Sequence, residues 1–466
     1  MTLIQSISGI RGTLGGKPGE GLSPVDIMKF SGAYGMWLKR RHPGKKIKVL
    51  IGRDARISGP NVRNIVVSNL QAMGIDIIDA GISTTPTIGI GVRHFNCQGG
   101  IIITASHNPK NWNALKLLNE EGQFLNDTQG QEVYRHSELK DFEYVAVEKF
   151  GEYNREECLV EMHIEKILAL PLVDTDAIAE AKFSVVVDGV NSSGGIAIPM
   201  LLEALGVKKI TELYCEPNGL FPHNPEPLGE NLGELSEMVV SKNAHVGFAV
   251  DPDVDRLAIV CQDGEMFGEE YTLVSVADYV LSQTPGNTVS NMSSTQALKE
   301  ITEKRNCGYF ASAVGEINVV EIMKKHDAVI GGEGNGGVIY PELHYGRDAL
   351  LAVALFLTHL AKSGKTCSAL KKVYPEYHIS KNKIELPADV SMDGIFDKVA
   401  KRYSRKKIDQ SDGTKIWFDK EWVHLRKSNT EPIIRIYSES DSPVKAENLG
   451  RKIIGDIREF LRGEED

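Results

Sequence analysis

Gly99-Gly100-Ile101-Ile102-Ile103-Thr104-Ala105-Ser106-His107-Asn108-Pro109 is the stretch on which the reading of this chain turns. An unbroken β-branched run bounded by glycines predicts a short buried strand rather than a helix. Pro109 stops His107 and Asn108 from simply continuing into a helix. The strand therefore predicts a sharp loop around Ser106, with free backbone N–H groups able to hold an anion. Taken alone, a Ser-His pair in a loop is more often a turn cap than a nucleophile, so the surrounding chain has to decide between the two.

Outward from that strand the pattern alternates. A helix is expected from Pro24 to Arg41, a strand over Lys48 to Gly52, a polar turn Arg53 to Gly59, a helix from Asn61 to Met73 and a strand over Asp76 to Asp79. Strand–helix–strand alternation predicts a largely parallel sheet with helices on its faces. The order restarts twice: Ser184 to Gly189, Ile196 to Leu205 and His245 to Val250, then Asn287 to Asn291, Asn318 to Lys325 and Ala328 to Ile330. From about Lys381 the chain alternates more, carries an Asp412-Gly413 turn and ends in an amphipathic helix from Val444 to Leu461. The fold class is α/β, with three α/β units followed by a smaller C-terminal α+β unit.

Composition narrows the function. The 466 residues carry a net charge of −10, which repels nucleic acid at long range, and no basic run with interleaved aromatics offsets it. Apolar runs fall short of the roughly 18 residues of a membrane span, and the first residues lack an export signal's basic and apolar regions. Six scattered cysteines without a C-x-x-C pair read as reduced thiols. The expectation is a cytoplasmic protein with no nucleic-acid or membrane partner, which must hold any anionic ligand by local clusters.

Three further loops carry chemistry. Asp251, Asp253 and Asp255 alternate immediately after an apolar strand and would repel one another unless a cation shares the site. An EF-hand is excluded, because Arg256 and Gln262 stand where its glycine and glutamate belong. Mg2+ keeps few protein carboxylates and takes phosphate oxygens, so this loop should face a phosphoryl group; the alternative is an acidic surface turn. Gly332, Gly334 and Gly337 satisfy G-x-G-x-x-G, but Val338 to Pro341 opens no helix, so a dinucleotide fingerprint is discarded. The same glycines let Glu333 and Asn335 approach a ligand such as a sugar diol closely, or simply make a turn. Arg426-Lys427-Ser428-Asn429-Thr430-Glu431-Pro432 is rich in donors suited to a phosphate, though a solvated turn would also be polar. Gly364-Lys365-Thr366 is no Walker loop, because His359 replaces its first glycine.

Taken together, these loops resemble the α-D-phosphohexomutases, the superfamily of phosphoglucosamine mutases, phosphoglucomutases and phosphomannomutases. The Ser8 to Gly12 and Gly52-Arg53-Asp54 to Gly59 segments, the T-A-S-H-N-P loop, the aspartate loop, the Gly-Glu loop and the R-x-S-N-T-E-P loop appear in that family's order over the whole chain. The resemblance implies three similar α/β domains plus a smaller C-terminal α+β domain around a central cleft. Their expected spans are 1–152 with the phosphoserine loop, 153–257 with the metal loop, 258–375 with the sugar loop and 376–466 with the phosphate loop. It implies that Ser106 is the phosphorylated serine and that Asp251, Asp253 and Asp255 are Mg2+ ligands sharing its phosphate. Arg11, His107, Lys116 and Arg256 would surround the transferring group, with Lys116 moving a proton and Arg256 also meeting substrate. Glu333 and Asn335 would bind the sugar, and Arg426, Ser428, Asn429 and Thr430 the phosphate that stays on it.

The activity so implied is reversible conversion of a hexosamine or hexose 6-phosphate to the 1-phosphate, through phosphoserine and a hexose 1,6-bisphosphate that also serves as activator. The run from Arg426 to Arg435 resembles phosphoglucosamine mutases most; phosphoglucomutase or phosphomannomutase is the alternative. Rivals of another class are a Mg2+-dependent sugar phosphatase and a non-catalytic sugar-phosphate binder. Pro252, Glu316, Asn335 and Gly337 depart from common family residues, so a histidine-based proton relay cannot simply be carried over. A small phosphosugar is the expected partner, the chain being a monomer or homodimer. Accepting the sugar in two orientations favours a C-terminal domain that moves. Ser106 is expected on an exposed loop, where Ser106→Ala would leave folding within about 0.5 kcal/mol of the parent.

Overall fold

The computed structural model describes residues 2–6, 9–386, 391–427 and 433–462. The chain divides into two compact units, Met1–Gln283 with Asn335–Lys371, and Thr284–Gly334 with Lys372–Asp466.

In the first unit a seven-stranded sheet runs in the order Leu3–Ser6, Gly9–Thr13, Trp112–Leu118, Gly99–Ile103, Lys48–Arg53, Asp76–Ile82, Tyr153–Arg155. Its pairings are parallel from Gly99–Ile103 to Tyr153–Arg155 and antiparallel over the other edge. The expected largely parallel sheet is thus a mixed one. The loop 104–111 is too short for the dozen or more residues of a parallel crossover, so the chain turns straight back beside its own strand. That turn is the serine loop. Gly99–Ile103 is buried throughout. The helix Pro24–Arg41 starts with a Ser23–Asp26 capping box and packs Ile27 and Phe30 into a core shared with Val49, Ile51, Ile101 and Ile103. Tyr34 on this helix donates its hydroxyl to Leu118 O at 2.6 Å.

A second sheet in this unit is ordered Leu257–Cys261, Val246–Val250, Ser184–Asp188, Lys209–Leu213, with only the first pairing antiparallel. Every residue of Val246–Val250 is buried, so the aspartates that follow it begin inside the protein. The helix Ala349–Ser363, apolar on most of its circumference, starts at Asp348, whose side chain accepts from Leu351 N.

The second unit holds the parallel strands Tyr309–Ser312, Thr288–Asn291 and Ile330–Glu333, side by side in that order. It also holds a five-stranded antiparallel sheet ordered His378–Glu385, Ile433–Ser440, Glu421–Lys427, Thr414–Phe418, Lys407–Asp409. The helices Met392–Arg402 and Pro443–Arg462 cover one face, burying Val399, Ile453 and Ile457 against Ile416, Val423, Leu425, Ile434 and Ile436. This is the smaller α+β arrangement that alternation and the C-terminal amphipathic pattern predicted. All six cysteines are free thiols. Among the described residues no helix is long and apolar enough to cross a membrane.

Candidate active site

Ser106 follows the strand Gly99–Ile103 with a φ of 49°, in the left-handed region that non-glycine residues seldom occupy. It is 6% exposed, so the serine is internal and not exposed as expected, although the loop reaches the surface from Pro109 to Asn111. Arg56, itself fully buried, holds it there by donating to Ser106 O at 2.5 Å, Asn108 O at 2.6 Å, Pro109 O at 2.8 Å and Trp112 O at 3.1 Å. Asp54 accepts from Arg56 Nε at 3.0 Å and from Thr104 Oγ1 at 2.6 Å, while Thr104 Oγ1 accepts from Ser106 N at 2.9 Å. The polar turn Arg53 to Gly59 therefore frames the serine loop. Sequence reading assigned Arg56 no role; its signal was a charged pair two residues apart beside a buried strand. Ser106 Oγ donates to Asp251 Oδ2 at 2.7 Å and lies 3.2 Å from His107 Nδ1.

Asp251, Asp253 and Asp255 are fully buried, and one oxygen from each lies within 4.8 Å of the others. The loop closes on itself: Asp251 Oδ1 accepts from Asp255 N at 3.1 Å and Arg256 N at 3.2 Å, and Val254 is left at a φ of 63°. Such a φ is strained for a β-branched residue and persists only under outside restraint. The restraint is visible. Ser192 and Ser193 hydroxyls donate to Pro252 O at 2.8 and 2.6 Å, and Thr85 donates to Asp253 O at 2.8 Å and to Asp253 Oδ2 at 2.5 Å.

Cations meet these carboxylates. Lys116, on the strand Trp112–Leu118, places Nζ 2.7 Å from Asp253 Oδ2 and 3.7 Å from Asp255 Oδ2. Arg347 Nη2 lies 2.6 Å from Asp255 Oδ2, and Arg256 Nε 3.8 Å from Asp255 Oδ1. Arg256 also reaches Glu226 at 3.4 Å. Neither Arg347 nor Glu226 was singled out from the sequence, because nothing local to either marks it. Burial, with repulsion from Asp255 and Asp253, pushes Asp251 well above the ordinary carboxylate range. Burial opposes ionisation of Asp253 as well, but Lys116 and the Thr85 hydroxyl outweigh it and hold that carboxyl low. Burial likewise pulls Lys116 down, and Asp253 and Asp255 more than restore its proton. Desolvation and the charges of Arg256 and Arg11 hold His107 well below its ordinary value, so its imidazole is neutral. Arg11, on the strand Gly9–Thr13, is lowered chiefly by burial and then by Arg256, with Asp253 opposing.

Asp253 Oδ1 and Asp255 Oδ1 are buried without a hydrogen-bond partner. Orphaned carboxylate oxygens are rare in native interiors, and a cluster of hard oxygen donors fits a hard divalent cation such as Mg2+.

In the second unit, Glu333 ends the strand Ile330–Glu333 and is buried; its Oε1 accepts from Asn291 Nδ2 at 2.8 Å and Gly315 N at 3.0 Å. Asp412 Oδ2 accepts from Val314 N at 2.8 Å and lies 2.8 Å from Arg426 Nε. The Val314-Gly315 backbone thus ties Glu333 to Arg426 through Asp412. Asn335 belongs to the first unit, where its Oδ1 accepts from Gly337 N at 3.2 Å. After Gly337 the chain is strand, not helix, as the rejection of a dinucleotide site requires. Ser8, Ser428, Asn429 and Thr430 lie outside the described residues.

Three α/β/α modules and an α+β module, with a serine set against a buried carboxylate triad, are the frame of a phosphohexomutase. The chain belongs to the phosphoglucomutase/phosphomannomutase family, whose models match alpha/beta/alpha domain I at residues 3–144, domain II at 161–264, domain III at 268–377 and the C-terminal domain at 384–455. It is 37% identical to the phosphoglucomutase/phosphomannomutase of Thermococcus kodakarensis over 461 residues, covering 97% of this chain and 99% of that one. It is 31% identical to a probable phosphoglucosamine mutase of Methanopyrus kandleri, covering 97% of each. A crystal structure of a phosphoglucomutase/phosphomannomutase family protein from Burkholderia thailandensis shares the fold with a TM-score of 0.83 at 24% identity, over 98% of each chain. Mutases are isomerases, and this chain is an enzyme of that class.

Proposed function

We propose that the protein interconverts hexosamine or hexose 6-phosphates and 1-phosphates by way of phospho-Ser106 and a 1,6-bisphosphate, with glucosamine phosphate as the preferred sugar. The carrying observation is Ser106 Oγ, 2.7 Å from Asp251 in a buried triad that Lys116 and Arg347 partly neutralise. Phosphoryl transfer depends on positioning and charge stabilisation more than on covalent activation, and the framed serine with cations around it supplies both. Held by Asp251, Asp253 and Asp255, a Mg2+ ion would neutralise charge on the phosphate carried by Ser106.

A sugar hydroxyl takes the phosphoryl group from phospho-Ser106 and gives up its proton to water, the serine O–P bond breaks, and the serine oxygen recovers a proton. We assign that proton to Lys116, which its aspartate partners keep charged. Neutral His107 contacts the serine oxygen and orients it, without ionising it. Arg11 and Arg256 would stabilise the transferring group. Glu333 and Asn335 are assigned to the sugar, and Arg426 with Ser428, Asn429 and Thr430 to the phosphate that stays on it. After the bisphosphate turns round, its other phosphate returns to Ser106.

A panel of glucosamine, glucose and mannose phosphates, run with a catalytic amount of 1,6-bisphosphate, tests the reading. Turnover should be fastest with glucosamine phosphate; equal rates on glucose and mannose phosphates with none on glucosamine would reverse the sugar assignment. Ser106→Ala should abolish isomerisation, and intact mass should show a phosphoryl group on the parent that the variant cannot take up. Free phosphate released in place of isomer would make the protein a phosphatase.

A further inference from the structure

We propose that Arg347 is a positioning residue of the aspartate loop. Its guanidinium fixes and neutralises Asp255, in space that exists because residue 337 is glycine, and so moderates the loop's hold on a divalent cation. The inference rests on the reading of Asp251, Asp253 and Asp255 as that cation's ligands.

Arg347 is delivered by a braced segment. The next residue, Asp348, donates its N–H to Val338 O at 2.9 Å and accepts from Leu351 N at 3.1 Å, capping the helix Ala349–Ser363. Asp348 Oδ2 lies 2.9 Å from His163 Nε2 and 3.1 Å from His344 Nε2, all three side chains being buried. Ala349 N donates to Val254 O at 3.2 Å, fastening the helix start directly to the aspartate loop. From this frame the 8%-exposed Arg347 reaches Asp255 Oδ2 at 2.6 Å. Supporting contacts of this kind are what give a charged side chain one position.

Gly337 supplies the room. A Cβ there would lie 2.3 Å from Arg347 Cδ and 3.0 Å from its Cγ, closer than carbon atoms pack. Gly337 is in an extended strand and not at a positive φ, so its lack of side chain serves space and not backbone freedom. A side chain at 337 would force the Arg347 stem to shift, and on the proposal that shift takes the guanidinium off Asp255.

The consequence is electrostatic. Lys116 occupies Asp253 Oδ2 and Arg347 occupies Asp255 Oδ2, which leaves for a metal ion Asp253 Oδ1 and Asp255 Oδ1, neither of which has a hydrogen-bond partner, the latter facing Arg256 Nε at 3.8 Å. Arg347 thus selects which oxygen of Asp255 is offered, and its charge opposes an incoming divalent ion. A loop so balanced should hold Mg2+ firmly only when phosphate on Ser106 adds negative charge.

Calorimetric titration of Mg2+ into the full, dephosphorylated chain tests this without any assay of turnover. Arg347→Ala should bind Mg2+ about tenfold more tightly or better, because a cation a few ångströms away in a buried site has been removed. Arg347→Lys, which keeps the charge, should stay near the parent. Gly337→Ala should tighten binding too, and adding it to Arg347→Ala should change nothing more, since the atom it collides with is gone. General damage would loosen the site; unchanged or weaker binding by a folded Arg347→Ala overturns the proposal, as do additive effects in the double variant. If Arg347→Ala fails to fold, Gly337→Ala against Arg347→Lys decides. A parent chain that isomerises sugar phosphates but binds no Mg2+ even when phosphorylated on Ser106 would remove the metal reading itself.

Discussion

A guanidinium carries five N–H donors in one plane, and Arg56 directs its donors to Asp54 and to the carbonyls of Ser106, Asn108, Pro109 and Trp112. With both Arg56 and Asp54 side chains fully buried, removing the cation takes a charged donor from a carboxylate and from four carbonyls together. Arg56→Met should therefore cost about 3–5 kcal/mol in denaturant unfolding and abolish isomerisation, whereas Arg56→Lys should recover part of the stability but little activity. Activity that survives in Arg56→Lys would show that the serine loop does not depend on this frame. The contrast with Ser106 explains what could be read beforehand. Ser106 and the three aspartates announce themselves because their chemistry is concentrated in a few consecutive positions. Arg56 works through backbone carbonyls 50 or more residues away, a role that its local pairing with Asp54 does not reveal, and Arg347 works through space at Gly337, which leaves no local pattern.

At the scale of the element, the hairpin of Thr414–Phe418 and Glu421–Lys427 and the turn before it show how one strand register serves several purposes. His424 is buried on this hairpin, its Nδ1 2.9 Å from Ser293 Oγ and its Nε2 2.6 Å from Asp412 O. A carbonyl partner makes Nε2 the donor, so Nδ1 accepts from the serine. Burial lowers its pKa to about 4. The unfolded chain takes up this proton near pH 6.5 and the folded chain does not until about pH 4, so stability is complete above the upper value and declines as pH falls between them. The full effect is roughly 3 kcal/mol, and urea unfolding at about pH 7.5 and about pH 5 should show more than half of it. His424→Gln should flatten that difference; an equal slope in the variant would assign the pH dependence elsewhere. In the preceding turn Gly413 has a φ of 74° and would place a Cβ 2.0 Å from Leu425 O. Gly413→Ala should lower stability by about 1–3 kcal/mol and loosen the Asp412–Arg426 pair, read as a lowered unfolding midpoint and a raised KM for sugar phosphate. Periodicity and turn residues made these elements legible, including the Asp412-Gly413 turn. They left sheet direction open, since antiparallel return of Trp112–Leu118 depends on loop length and not on either strand's own pattern.

For the whole molecule, the question is which part moves when a sugar bisphosphate turns round. Sequence reading placed that motion in residues 376–466 alone. The second unit argues for a larger body, because its parallel strands and its antiparallel sheet are joined by polar contacts that are costly to break. Lys415 Nζ donates to Met292 O at 2.5 Å while lying 3.7 Å from the Trp422 ring centroid, and both side chains are buried. Ser293 meets His424, Val314 N meets Asp412, and Gln296 N donates to Glu439 at 3.1 Å. Glu439 also accepts from Trp422 Nε1 at 2.6 Å, and a buried carboxylate cannot give up such donors cheaply. Shear within this unit would have to break several of these bonds together, whereas the chain passes out of it only at 283–284, 334–335 and 371–372. We therefore expect Thr284–Gly334 to travel with Lys372–Asp466 as one rigid body, carrying Glu333 and Arg426 at fixed separation. That body would move the sugar and its retained phosphate together, which is what reorientation without loss of the intermediate requires. Structures determined with and without a sugar phosphate provide the measurement. Superposed on the strands Thr288–Asn291, Tyr309–Ser312 and Ile330–Glu333, the C-terminal sheet should coincide in the two states. A rotation of that sheet away from those strands, with the Val314–Asp412 bond broken, would return the motion to the C-terminal segment alone.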